Sequence, residues 1–179
     1  HALKVGYRHI DTAMIYGNEK QVGQAIKDSG IPREDIFITT KLWNSDQGYE
    51  AALRACEKSL ENLGVDYIDL YLIHWFKDHT RDLESWKALE TLYEQKKVRA
   101  IGVSNHNVHH IQYLIDHAKI KPMINQVETH VELPNHYLET YCRDQGIYLE
   151  AYAPLMSSDI QTMLNNELLN ALAKKYSKT

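Results

Sequence analysis

A chain of 179 residues can build one large domain or two very small ones, and 44% apolar with 25% charged residues is the ordinary balance of a soluble globular fold. Twenty Lys and Arg against twenty-four Asp and Glu leave a net charge of −4 with both signs interspersed, which disfavours a nucleic-acid binder with its basic face. The longest apolar runs, such as residues 68–73 with Asp69 inside, fall far short of the roughly 18 residues that cross a bilayer, so no membrane helix is expected. In chain order, a strand-like run at 7–10 is followed by a helical pattern at 19–29, a strand at 36–39 and a helix at 49–63. Strand 68–73 and helix 83–96 come next, then strand 100–103, helix 108–118, strand 123–126, helix 135–144, strand 147–152 and helix 167–176. In 49–63, Ala52, Leu53, Cys56 and Leu60 share one helical stripe while Glu57, Lys58 and Glu61 face water, and Gly64 supplies the stop.

Gly30-Ile31-Pro32, Pro122 and Pro134 punctuate these boundaries, and no Gly/Ser/Pro-rich linker interrupts the chain, so residues 1–179 read as a single domain. The opening at His1 and the close within a helical pattern read as an internal piece of something longer, incomplete at both ends. Cys56 and Cys142 lie far apart with no CxxC or Cys/His cluster; neither a disulfide framework nor a zinc site is expected, and a reducing, cytoplasmic compartment is the simplest reading. Both are expected to be packing residues.

Strand and helix in alternation imply βαβ units and a parallel sheet covered by helices. A doubly wound sheet would normally carry a Gly-rich phosphate loop, and neither GxGxxG nor GxxxxGK[ST] occurs. A (β/α)8 TIM barrel needs none and places its chemistry at the C-terminal strand ends. Those ends are Asp11, Lys41, His74, Ser104-Asn105, Gln126 and Tyr152, all polar or hydrogen-bonding. In a barrel they converge on one mouth; in a flat sheet the outermost would lie about 25 Å apart at about 4.8 Å per strand. The barrel is therefore favoured, with about six of its eight strands present and two missing. The outer visible strands would then present unpaired edges.

Gly6-Tyr7-Arg8-His9-Ile10-Asp11-Thr12-Ala13 followed by Tyr16, Asn18 and Glu19, then Thr40-Lys41-Leu42-Trp43, Leu70-Tyr71-Leu72-Ile73-His74-Trp75, Ile101-Gly102-Val103-Ser104-Asn105 and Asn125-Gln126 resemble the aldo-keto reductase family in collinear order. The phrasing is most similar to its microbial 2,5-diketogluconate reductase and glyoxal reductase group. The resemblance implies NADPH-dependent reduction of aldehydes or ketones, NADH being a possible substitute, by a monomer acting on a small carbonyl compound without metal, nucleic acid or membrane. It implies a tetrad of Asp11, Tyr16, Lys41 and His74. Tyr16 would donate the proton, Lys41 would favour its phenolate, Asp11 would hold the Lys41 ammonium, and His74 would orient the carbonyl. Ser104, Asn105 and Gln126 would bind the nicotinamide carboxamide, Tyr152 would stack on its ring, and Leu155 would lie beside the cofactor. Trp43, Trp75, Ile15 and His106 would line the substrate pocket.

Ala153 stands where the family often has serine, Phe76 where proline is common, and His106 where phenylalanine is common, the last two expected at the pocket rim. The family's Lys/Ser/Arg segment at and after the eighth strand, which grips the 2′-phosphate, does not occur, nor does its first strand; the resemblance thus implies that the first and eighth strands are the missing ones, and NADP over NAD follows from the resemblance alone. Blander readings compete: Asp11 and Lys41 as a structural ion pair, His74 as a satisfied core histidine, Trp43 and Trp75 as core aromatics, and His106, His109 and His110 as a solvated face. Rival functions are a metal-dependent barrel hydrolase using Asp11 and His74, a non-catalytic nicotinamide-binding subunit, and an inactive fragment.

Overall fold

The protein is described here by a computed structural model covering residues 1–178. Six strands and seven α-helices alternate: β1 (His9–Asp11), α1 (Glu19–Ser29), β2 (Phe37–Leu42), α2 (Tyr49–Leu63), β3 (Ile68–Ile73), α3 (His79–Glu94), β4 (Val98–Ser104), α4 (Val108–His117), β5 (Ile124–Glu128), α5 (His136–Asp144), β6 (Tyr148–Tyr152), α6 (Ile160–Leu164) and α7 (Glu167–Tyr176). Every strand pairs in parallel with the next, in the order β1-β2-β3-β4-β5-β6. The registers Leu42↔Ile73, Ile73↔Val103, Ser104↔Gln126 and Glu128↔Tyr152 keep the C-terminal strand ends along one rim.

The sheet is curled. Four strand spacings separate β5 from β1, about 19 Å if the sheet were flat, yet Gln126 Nε2 donates to Asp11 Oδ2 at 2.7 Å. A parallel sheet rolled this far with helices outside it is a (β/α) barrel architecture, as its alternating sequence led us to expect.

Burial follows position in the sheet. β3 is buried along its whole length, and β2 at all but Phe37, because helices cover one face and the curled interior the other. β1 and β6 lie at the two edges and are mostly exposed or half-buried. Outside the sheet, α2 buries Ala52, Cys56, Leu60 and Leu63 and ends at Gly64, whose φ of +65° explains the glycine. Gly23 of α1 sits where a Cβ would meet the Leu63 carbonyl oxygen at 2.2 Å, so α1 and α2 pack backbone to backbone.

Two boundaries differ from expectation for visible reasons. α3 starts at His79 rather than 83, because Asp78 caps it by accepting from Arg81 N at 2.9 Å and the polar residue Asp82 is buried. α6 is a five-residue helix in the loop before α7, too short to register as a periodic pattern.

At the N-terminal end of the strands, Asp69 is 1% exposed and fully engaged. It accepts from Arg33 Nη2 at 2.7 Å, Arg99 Nη1 at 3.0 Å and Ile38 N at 2.9 Å, and both guanidinium groups lie over the Tyr67 ring.

Candidate active site

Alternation along β2 turns Lys41 into the curled interior and Thr40 outward, where its hydroxyl donates to Glu19 Oε1 at 2.8 Å. Glu19 in turn accepts from Asn62 Nδ2 at 3.0 Å, tying α1, β2 and α2 together directly behind Lys41. The Lys41 ammonium is 1% exposed, forms an ion pair with Asp11 at the end of β1, and donates to the Thr12 carbonyl at 2.9 Å. Tyr16, on a one-turn 3-10 helix after β1, places its ring centroid 5.3 Å from the ammonium. His74, the first residue after β3, lies edge-on to Tyr16 at 5.8 Å between centroids and to Trp43 at 5.2 Å. Asp11, Tyr16, Lys41 and His74 thus come from three strand ends to one place.

The electrostatics differ in one respect from expectation. The Tyr16 hydroxyl has its pKa raised from the ordinary tyrosine value, by burial first, then by the negative charges of Asp11 and Tyr152. The phenol is therefore fully protonated at neutral pH. His74 is pushed down to about 4, by burial first and then by Lys41, with Asp11 opposing. It is a neutral imidazole at pH 7, and its buried Nδ1 has no hydrogen-bond partner among the described residues.

The expected carboxamide-binding residues adjoin this cluster. Asn105, at φ +60°, donates from Nδ2 to the Ser104 hydroxyl and to the His74 carbonyl, both at 3.1 Å, and its Oδ1 accepts from the Tyr152 hydroxyl at 3.0 Å. Ser104 Oγ donates to the Gln126 carbonyl at 2.8 Å. The Gln126 amide bridges two carboxylates, Asp11 at 2.7 Å and Glu150 at 2.9 Å. Mixed amide and hydroxyl groups are the chemistry that a carboxamide pairs with, and the orphaned His74 Nδ1 leaves a polar atom for a ligand; on both counts these residues fit a nicotinamide.

The remaining expected residues separate. Ile15 and Trp75 are 45% and 43% exposed near the tetrad's loops, and Gln47 Nε2 fixes the Trp75 carbonyl at 2.7 Å. Leu155 is 58% exposed and lines an apolar groove with Ile160, Leu164, Leu169 and Tyr176. His106 is a correction: it is 0% exposed, not at a pocket rim, and pairs with buried Asp82 of α3 at 3.0 Å. Nor do the three histidines form one solvated face, since His110 stacks on Phe76 at 3.8 Å between centroids. Sequence reading passed over Glu150 and Asp82. Period two along β6 puts Glu150 on the same face as Tyr152, a signal that was available; nothing local marks Asp82, whose burial depends on a partner 24 positions away. Among the described residues, no three His, Cys, Asp or Glu side chains gather as a cation site, and no helix is long and apolar enough to cross a membrane.

Strand order, curl and rim together define the class, a parallel barrel with a polar cluster at its C-terminal end. The chain matches the Aldo/keto reductase family over residues 1–171 and belongs to it. It is 56% identical to the glyoxal reductase of Bacillus subtilis over 179 residues, covering 99% of this chain and 63% of that protein. It superposes with a TM-score of 0.98 on the crystal structure of an aldo-keto reductase from a Medee basin deep-sea metagenome library, at 66% identity over 99% of this chain and 65% of the other. The Bombyx mori aldo-keto reductase solved in complex with NADP gives a TM-score of 0.89 at 34% identity over 99% of this chain and 64% of the other. The chain thus spans a little under two thirds of the length of these relatives.

Proposed function

We propose that this chain forms the reducing half of an NADPH-dependent carbonyl reductase, with Tyr16 as proton donor and small aldehydes or dicarbonyls as substrates. The observation that carries this reading is the junction of Asp11, Lys41, Tyr16 and His74 at one rim. The NADP complex of the silkworm relative and the glyoxal reductase of Bacillus support the cofactor and the substrate class.

A bound nicotinamide supplies the hydride. Ser104, Asn105 and Gln126 would hold its carboxamide, with Tyr152 beside it. Tyr16, protonated at neutral pH, delivers its proton to the carbonyl oxygen as charge develops there. Lys41 stands close enough to stabilise the phenolate left behind, and Asp11 keeps the ammonium in place. Neutral His74 orients the carbonyl without competing as an acid. Trp43 and Trp75 offer apolar walls.

The test is Tyr16→Phe, assayed with glyoxal and with both NADPH and NADH. Turnover is expected to fall by roughly 10²- to 10⁴-fold while dinucleotide binding is kept. Turnover that survives the change refutes the assignment. A chain that binds the dinucleotide yet reduces no carbonyl in its unaltered form would instead favour a binding subunit.

A further inference from the structure

Glu150 stands on β6 in register with Gln126 of β5, and the period of two along the strand turns it to the same face as Tyr152. It is half-buried and makes no ion pair among the described residues; the Gln126 amide is what holds it. Nothing in the packing of an edge strand asks for a carboxylate there.

The geometry around Gln126 supplies a use. Its Nε2 carries two protons and spends both, one on Asp11 Oδ2 at 2.7 Å and one on Glu150 Oε1 at 2.9 Å. Asp11 is paired with Lys41 and its oxygens only accept, so the NH2 end of the amide must face the carboxylates and Oε1 must face away from them. No group among the described residues donates to that oxygen. The main chain of Gln126 is fixed, its carbonyl accepting from Ser104 Oγ at 2.8 Å and from Asn105 N at 2.9 Å. The amide plane is thus the adjustable part, and it is strung between acceptors on β1 and β6, the two edge strands of the curled sheet.

We propose that Glu150 is a positioning residue for Gln126: by taking the second N–H it locks the amide with Oε1 presented to the site as an acceptor, so that the site selects a nicotinamide ring bearing an N–H donor over one bearing a carbonyl alone. This rests on the cofactor reading above. With Asp11 as its one anchor the amide pivots about a single hydrogen bond, and its oxygen is no longer held toward the ligand. An acceptor is what the arrangement asks of residue 150, and a neutral amide oxygen there can supply it.

Kd values for NADP+ and for its acetylpyridine analogue, whose methyl ketone keeps the carbonyl and lacks the N–H, are to be measured in the unaltered protein, in Glu150→Leu and in Glu150→Gln. The unaltered protein is expected to bind NADP+ about tenfold tighter than the analogue, the worth of one hydrogen bond. Glu150→Leu is expected to bring the two dinucleotides within about twofold of each other, chiefly by weakening NADP+, while Glu150→Gln keeps the preference. General damage to the site would weaken both dinucleotides alike, so a preference that survives in Glu150→Leu overturns the proposal, and so does one lost equally in Glu150→Gln. Glu150→Ala serves where the leucine variant fails to fold. Equal binding of the two dinucleotides by the unaltered protein overturns the proposal and leaves the cofactor reading standing. Failure of the unaltered protein to bind NADP+ overturns both.

Discussion

Two aspartates, one near the start of β3 and one at the end of β1, have been put to different uses. Asp69, at the N-terminal end, is 1% exposed and has two guanidinium groups and a backbone amide on its oxygens. Asp11, at the C-terminal end, has a side chain 36% exposed and holds the buried Lys41 together with the Gln126 amide. The first is closed: always-charged arginines saturate it, and nothing is left to react. The second belongs to an open arrangement, with a half-exposed phenol, a partnerless imidazole nitrogen and a lysine whose charge can act on its neighbours. A carboxylate with both oxygens engaged stabilises a fold; one that shares a cation with an unfilled space can serve chemistry.

The largest effect that sharpens this contrast is at Tyr16. Tyr16→Phe is expected to keep the thermal midpoint, since the side chain is 53% exposed and its ring is retained, while turnover collapses. Asp69→Asn should do the reverse, losing roughly 3 to 5 kcal/mol of stability by leaving the arginines without a buried counter-charge, with activity per folded molecule unchanged. Denaturant melts alongside assays would separate the two, and an active-site loss in Asp69→Asn at full stability would break the comparison.

Acid should act on the open end. His74 sits near 4 in the fold against 6.5 in the unfolded chain, so between those values the unfolded state binds more protons. Its contribution is fully present above about pH 6.5 and disappears as pH falls toward 4, roughly 3 kcal/mol in all. Melts from pH 7 to pH 4 in the unaltered protein and in His74→Gln should show the shallower acid loss in the variant. The smallest effect is expected at Arg99→Gln. That side chain is 62% exposed, so its half of the Asp69 network should cost less than about 1 kcal/mol.

The legible parts of the fold were those whose pattern is local. Residues 68–73 match β3 end to end, and 49–63 match α2, because continuous burial and a one-sided stripe are written in consecutive residues. The edge strand β1 starts two residues later than its apolar run, since Tyr7 faces solvent beyond the sheet. In the site, Asp11, Lys41, His74 and Asn105 could be read as strand ends, and the rim does gather them. What stayed hidden depends on partners distant in sequence. His106 looked like a rim residue because nothing near it announces Asp82, and the bridge that Gln126 makes could not be read because it needs Asp11 and Glu150. The direction of the Tyr16 shift was hidden for the same reason: it depends first on burial, then on Asp11 and on Tyr152, which the fold brings from far along the chain.

The bond between Gln126 and Asp11 joins residues 115 positions apart, and that separation governs how the molecule must assemble. Each parallel pairing spans a crossover helix, and the Gln126–Asp11 contact can form only once the strands between β1 and β5 have joined the sheet. The middle strands can gather early around their own helices. That bond is therefore expected among the late contacts to form on refolding.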